Sequence, residues 1–538
     1  MSRSGREHGN NLSKIKTPER ILILIFSLAF FVLFTNATRI NSLTQQLDQA
    51  YFLESIDNTY ETGRSTTMLT RSVIRAIQDL IVAPVSKICE YQFESDGREK
   101  MNIYERHSFP ILYGLAALRT LFPTRIIYYL CALFAFPGLL LLIYLRSRVV
   151  GVPAFVSIVL VLMVAVHPAW SYASFGQFYP DKLFPMLCVV YFLLLHDWMI
   201  LDRRRPFALL MVGIIAASTS ERSTIMLVAG TLAVYVFFGL RRRWSRLDIL
   251  PLVLVAVMTA YVYIYMHFIQ HDPDYASFLS GSLNFFSLMN GETAKAIYKF
   301  LLINVLLLVP FAIFAKRWAL IALCSMVPNL VGSIGGAEKL GWTTHYHSYY
   351  FPFLIIALIM GASSLFQKPS RRLVTIALTL VIGVTLFYAL LDPFSPPSLR
   401  FSLKQVRETG VAKAVEFTTA SGPAAAIIIR SEYLKDIAAF VPAGSEVSTS
   451  ENYMPALYDH GVKLIHFYPL GLGKSGYVVV RYSQEHNVLR WEGFVSYLGP
   501  EVIEQANTCL QNRLNEQYIL VKAFPDSPLT GTAILQRK

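Results

Sequence analysis

"IIYYLCALFAFPGLLLLIYLRSRVVGVPAFVSIVLVLMVAVH" (126–167) sets two apolar runs, 126–145 and 152–167, on either side of a short connection carrying Arg146 and Arg148. A helix of roughly twenty such residues is long enough to cross the hydrocarbon layer of a bilayer, about 30 Å thick. Working outward from this pair, eleven apolar segments can be read, at about 21–37, 126–145, 152–167, 183–201, 207–219, 224–240, 248–268, 298–315, 318–333, 350–366 and 373–391. Basic residues mark every second connection: the N-terminal tail through Arg20, Arg146 with Arg148, Arg203 to Arg205, Arg241 to Arg243 with Arg246, Lys316 with Arg317, and Lys368 with Arg371 and Arg372. Retention of Lys and Arg on the cytoplasmic side predicts a cytoplasmic N-terminus. Residues 38–125, 168–182, 220–223, 269–297 and 334–349, and everything from about 392 onward, then face outward.

Composition agrees with this pattern. Of 538 residues, 54% are hydrophobic and 15% charged, a balance that excludes a soluble multidomain enzyme and fits a polytopic membrane protein. The net charge of +13 sits in short clusters between apolar runs, which directs it to topology and anionic lipid headgroups rather than to nucleic acid. The five cysteines have no metal or redox spacing. Cys131, Cys188 and Cys324 fall inside apolar segments and are expected to be buried thiols, leaving Cys89 and Cys509 as the pair that could form a disulfide.

The predicted fold is thus an α-helical polytopic membrane protein of about 11 transmembrane helices with a small extracytoplasmic α/β C-terminal domain. Its parts are a basic cytoplasmic tail (1–20), a transmembrane domain (21–391) that includes an extracytoplasmic loop (38–125), and a soluble domain (392–538). Within the loop, "STTMLTRSVIRAIQDLIVAP" (65–84) has the spacing of an amphipathic surface helix, and "HSFPILYGLAALRTLF" (107–122), interrupted by Arg119, is expected to lie on the surface or re-enter. Beyond 392, "VKLIHFYP", "GYVVVRY" and "QYILVKAF" have strand character. "GLGKSG" (471–476) resembles a phosphate loop only in part, since Tyr468 stands where its first glycine belongs, and it is assigned to an ordinary loop.

The outward-facing polar residues form the candidate site: Asp48 and Glu54 after the first segment, His107, Asp181 and Lys182 in "QFYPDK", Glu221 and Arg222 in "STSERS", and His345, Tyr346 and His347 in "TTHYHSYY". Asp57 and Glu61 read as ordinary loop charges. Glu221 and Arg222 are either an interfacial ion pair closing a tight hairpin or functional, since charge at membrane depth is costly. His345 and His347, at i and i+2, point apart on a helix and have no adjacent carboxylate, so no metal is expected there.

Six blocks, "LDQAYFLESIDNTYETGR", "ERHSFPILYGLAALRTLFP", "HPAWSYASFGQFYPDKLFPML", "STSERSTIMLVAGTLAVYV", "HYHSYYFPFLIIALIMG" and "VPAGSEVSTSENYMPALYDHGVKLIHFYP", follow the order found in a largely uncharacterised family of polytopic bacterial membrane proteins of the GT-C glycosyltransferase superfamily, and the chain resembles that family over about 45–480. The resemblance implies that Asp48 is the catalytic carboxylate; the second acidic residue of the family's pair is replaced by Leu53, with Glu54 beside it. His107 and Pro110 match an H-x-x-P-like block, Tyr179, Pro180 and Asp181 stand where His-Pro-Glu is common, Glu221 matches a Lys-Glu-Asp block, and His345 with Tyr346 matches a His-Tyr pair before Pro352. It further implies an inverting glycosyltransferase of the bacterial inner membrane that moves a sugar from a polyprenyl-phosphate donor to an envelope acceptor (lipid, polysaccharide or protein), with no further cofactor. Asp48 would act as general base, and Arg222, Lys182 and His345 as phosphate ligands. Two other classes fit the same polar residues: a transporter or flippase of an anionic or lipid-linked substrate, and an envelope protein with this fold and no chemistry.

Overall fold

A computed structural model of the chain describes residues 47–70, 100–105, 107–175, 179–239, 245–270, 291–331, 339, 346–367, 370–391, 437, 439–449, 453–462, 464–469, 471–483, 488–490, 500–525 and 530–538. The first apolar segment, 21–37, lies outside them.

Helix α1 (Leu47–Thr62) is followed by a two-stranded antiparallel ribbon of β1 (Thr66–Thr70) and β2 (Lys100–Asn102). The amphipathic helix expected from residue 65 is corrected here: its first turn is instead strand β1, where β-branched threonines suit an extended backbone paired with β2. The rest of that stretch lies outside the described residues. Helix α2 (Ile111–Leu118) has eight residues, too short to span, and buries Leu112, Leu115 and Ala116, in keeping with a surface-lying segment.

The bundle begins with α3 (Thr124–Ala135) and α4 (Pro137–Val149), two halves of one apolar rod interrupted at Phe136 because Pro137 has no amide hydrogen to donate. Then come α5 (Ala154–Ala165), α6 (Pro168–Phe175), α7 (Phe184–Leu201), α8 (Pro206–Ala217), α9 (Glu221–Val234), α10 (Leu250–Ile264), α11 (Gly291–Leu308), α12 (Arg317–Ser325), α13 (Phe351–Gln367) and α14 (Arg371–Leu391). Among the described residues six stretches are long and apolar enough to cross a membrane: Thr124–Val149, Pro180–Leu201, Glu221–Gly239, Arg246–Ile269, Tyr346–Gln367 and Arg371–Tyr388. Ala154–Ala165, Pro206–Ala217 and Arg317–Val331 are apolar but shorter. The segment expected at 298–315 is broken: α11 stops at Leu308, before Pro310, and a single turn, Ala312–Ala315, follows. The chain is mostly helical, and its apolar helices are those of a membrane protein.

Helix α13 is the axis of the bundle and is buried along almost its whole length, from Phe351 to Leu365. Its packing depends on close approach. A Cβ on Gly361 would come within 2.7 Å of the Phe311 carbonyl oxygen, and one on Gly230 of α9 within 2.7 Å of the Phe353 ring.

The basic end of the bundle is closed by polar contacts. Arg146 Nη1 donates to Asp197 Oδ2 at 3.0 Å, and Nη2 donates to Oδ1. The buried Asp248 carboxylate accepts from Trp198 Nε1 at 2.7 Å and from the Ser245 amide at 2.7 Å. Trp318 Nε1 donates to His196 Nδ1 at 3.2 Å. Cys131 and Cys188 are buried as expected, whereas Cys324 on α12 is exposed, a correction to its expected burial.

The C-terminal part is a small mixed domain built from β3 (Glu446–Thr449), α15 (Met454–Asp459), β4 (Leu464–Phe467), β5 (Tyr477–Ser483), β6 (Val488–Arg490), α16 (Pro500–Gln517), β7 (Tyr518–Pro525) and β8 (Thr530–Arg537). Strand order is β4-β3-β5-β8-β7, with β6 also on β5. β3 runs parallel to β4 and β5, and β8 antiparallel to β5 and β7. "GLGKSG" leads into a strand, not a helix, and packs on the sheet: Gly471, at φ +80°, lies against the His466 ring with no room for a Cβ. Cys509 on α16 is disulfide-bonded, while Cys131, Cys188 and Cys324 are free; Cys89 lies outside the described residues.

Helix α1 joins the two halves. Phe52, Leu53 and Ile56 belong to the core of the bundle, and Tyr51 belongs to the core of the C-terminal domain with Val447, Leu457 and Ile465.

Gly361→Ala is expected to destabilise the protein by about 1–3 kcal/mol, because its neighbour is backbone that cannot swing away. Gly383→Ala, where a Cβ meets nothing within 4 Å, is expected to be neutral or to stabilise by roughly 0.5–1 kcal/mol through helix propensity. Thermal unfolding of the two variants in one detergent checks the contrast; equal midpoints would show that α13 does not need this approach.

Candidate functional site

The end of the bundle opposite Arg146 and Asp248 gathers polar side chains from four separated segments. The first is the turn before α2. The second opens α7, the third opens α9, and the fourth opens α13.

Glu221 is the first residue of α9 and is 4% exposed. Ser220 caps the helix, its hydroxyl accepting from the Ser223 amide at 3.1 Å. The Glu221 carboxylate therefore sits where the helix has unpaired amides and a positive end. Its own donors come from across the chain: His107 Nδ1–H donates to Oε1 at 3.1 Å, and the Ser108 amide donates to Oε2 at 3.0 Å. Beside it, Ser108 Oγ and Tyr261 OH of α10 are hydrogen-bonded, and the Ile111 amide donates to the Ser218 carbonyl at 2.9 Å. The Tyr104 phenol donates to the Phe109 carbonyl at 2.7 Å, and burial holds its pKa well above the ordinary value, so it stays a donor.

Asp181 is 2% exposed and lies within electrostatic reach of Glu221 and Arg222, facing Ser220 and Tyr349. Its Oδ1 accepts no hydrogen bond from the described residues. A buried carboxylate oxygen left open in this way is costly, so it marks a place where a ligand hydroxyl or a water can donate. Arg222 lays its guanidinium over the Tyr346 ring, 5.3 Å from the centroid. Glu221 thus holds His107 and Ser108 and feels the charge of Arg222, while Arg222 stacks on a ring contributed by the start of α13.

The remaining sequence candidates fall elsewhere. Lys182, 1% exposed, faces the Tyr179 ring with Nζ 5.8 Å from its centroid, in the packing of the α7 start. His347 is buried and bonds to the Tyr350 hydroxyl at 2.8 Å, inside the bundle beside Phe300. His345 lies outside the described residues. Glu54 is buried on α1 and acts electrostatically on Tyr458 of the C-terminal domain. Asp48 is in the first turn of α1, and its side chain is outside what the structure describes. Its helix nevertheless adjoins the group: one turn further on, the Phe52 ring meets Phe109 at 5.2 Å and Tyr179 at 5.7 Å, edge on.

Asp57, read from sequence as an ordinary loop charge, is corrected. It is helical and partly buried, accepting from Arg119 Nε at 3.0 Å, from the Thr124 hydroxyl and from the Tyr458 hydroxyl at 2.8 Å. Ser108, Ser220, Tyr261 and Tyr349 are further members of the polar group that sequence reasoning did not single out. A lone serine or tyrosine in an apolar run carries no spacing signal, and only the fold brings them to a carboxylate. Among the described residues no group of three or more His, Cys, Asp or Glu is arranged to hold a metal ion.

No protein-family model matches the chain, and no curated protein matches it. The resemblance to GT-C proteins has no support from these comparisons.

Glu221→Ala is expected to destabilise the protein by about 1–3 kcal/mol, since it strands the buried Ser108 amide. Glu221→Gln, whose amide oxygen still accepts, costs less. In a double-mutant cycle His107→Ala and Glu221→Ala should couple by about 1 kcal/mol in unfolding free energy; strictly additive costs would mean that the pair does not interact.

Proposed function

We propose that this protein is a membrane glycosyltransferase of GT-C type that transfers a sugar, with inversion, from a polyprenyl-phosphate donor to an envelope acceptor on the extracytoplasmic face of the bacterial inner membrane. The observation that carries the reading is the convergence of His107, Asp181, Glu221, Arg222 and Tyr346 at one end of the bundle, directly beside the helix that bears Asp48. A lipid-linked donor reaches such a place sideways through the bilayer, and needs no nucleotide site.

The disulfide at Cys509 supports the orientation. Structural disulfides persist in oxidising compartments, which suits an extracytoplasmic C-terminal domain. The half-buried pair of Arg146 with Asp197, and buried Asp248 with Trp198, at the other end suit a cytoplasmic side rich in Lys and Arg. About eleven spans would follow if the shorter apolar helices, α11 and the segment at 21–37 also cross.

In the reaction the acceptor oxygen attacks the anomeric carbon while Asp48 takes its proton. The bond from that carbon to the phosphate oxygen breaks, and polyprenyl phosphate leaves with the electron pair. Arg222 neutralises the leaving phosphate, its planar fork matching two phosphate oxygens. Asp181, with Oδ1 open, binds a sugar hydroxyl. Glu221 holds His107 and the turn at Ser108 against the start of α9, and Tyr346 supports the guanidinium from below.

The test is turnover of purified protein, in nanodiscs, with a panel of radiolabelled polyprenyl-phosphate sugars. Asp48→Asn should lower kcat by about two to four powers of ten, and Arg222→Lys should weaken use of the donor while leaving the fold intact. Undiminished turnover in Asp48→Asn would remove Asp48 from this role. Proton-coupled uptake in proteoliposomes without sugar transfer would replace the reading with a transporter.

A further inference from the structure

A single carboxylate, Asp57, binds three parts of the molecule at once. Its Oδ1 accepts from Arg119, just past the end of α2, and from Thr124, the first residue of α3; its Oδ2 accepts from Tyr458 of α15. The first two donors belong to the membrane half and the third to the C-terminal domain. The contact is reinforced on either side. Arg119 also lies over the Tyr60 ring, 5.8 Å from its centroid, and Tyr51, on the same helix N-terminal to Asp57, is buried in the domain's core. Asp57 sits nine residues along α1 from Asp48, about 13–14 Å at the helical rise, so a rigid α1 transmits the placement of one end to the other.

We infer that Asp57 is a positioning residue through which the C-terminal domain clamps α1, and with it Asp48, against the transmembrane bundle. The clamp itself is independent of chemistry; its effect on turnover rests on the glycosyl-transfer reading. Asp57 is suited to the task because a carboxylate accepts several donors without needing to give a proton. The Tyr458 phenol is held well above its ordinary pKa, by burial first and then by Asp57, Glu54 and Glu61, so it remains a donor across the working pH range. Both hydrophobic cores draw on neighbouring residues of α1, so loosening one bond at its surface shifts the helix as a unit rather than unfolding either half.

The discriminating variant is Tyr458→Phe, which removes one hydroxyl and keeps the ring, so the chain is expected to fold. Hydrogen exchange of the full chain in nanodiscs should speed up about tenfold at the amides of Leu47–Thr62, the fold-change of one hydrogen bond to a charged group, while the amides of α13 stay protected. In the turnover assay the same variant should lower kcat several-fold with the donor KM unchanged, and Asp57→Asn, which keeps an acceptor for Tyr458, should fall less than Asp57→Ala. Unchanged exchange in α1, or acceleration spread equally over α13, would overturn the clamp. Loosened α1 with undiminished kcat would overturn its role in placing Asp48. If the parent chain transfers no sugar, the glycosyl-transfer reading fails, and the exchange result still decides the clamp.

Discussion

Helix α1 must satisfy two hydrophobic cores that face it from different sides. Tyr51 and Phe52 are adjacent in sequence, yet a helical turn of about 100° per residue sends the first into the C-terminal domain and the second into the bundle. Almost every other feature of the outer end follows from that double duty. The Phe52 ring fixes the turn around Phe109, that turn presents His107 and Ser108, and these two complete the coordination of Glu221. The polar group is therefore held in place by apolar packing.

Glu221 and Asp181 illustrate how the bundle manages buried carboxylates. Both are almost fully withdrawn from solvent, where an unpaired charge would cost several kcal/mol, of the order seen when a buried pair is broken. Glu221 is compensated by a ring nitrogen, a backbone amide and the positive end of its own helix. Asp181 has Ser220, Tyr349 and Arg222 around it, but its Oδ1 accepts no hydrogen bond from the described residues. The opposite end shows the contrast: Asp197 and Asp248 have their donors in hand from Arg146, Trp198 and Ser245, which reads as closure and not as a site.

Much of the fold was legible in advance because bilayer crossing is a one-dimensional property. Hydropathy and length find the rods at 126–145, 183–201 and 350–366, and the structure has helices there. The strands at 464–467, 477–483 and 518–525 were likewise visible as β-type runs. The break at Pro310 and the kink at Pro137 were written in the sequence as prolines but do not alter hydropathy, so a window average passed over them. The strand at Thr66–Thr70 was hidden because Leu69, inside it, falls in helical spacing with the apolar residues that follow in the sequence.

For the site, sequence by itself determined which residue types stand at the ends of the apolar runs: His107, Asp181, Glu221, Arg222 and Tyr346 were all selected from their positions between segments. It could not determine who meets whom. Glu221 lies within electrostatic reach of its neighbour Arg222, as sequence adjacency suggests, but its carboxylate also accepts hydrogen bonds from Ser108 and His107, 113 and 114 positions away. Asp57 is the sharper case. As a lone acid in a polar stretch it is indistinguishable from Glu61, and only the docking of a domain some 400 residues later in the chain, with Tyr458 at its surface, makes it the bond between two halves of the molecule. Local chemistry is fixed by residue type and spacing, whereas long-range hydrogen bonds exist only once packing has brought their partners together.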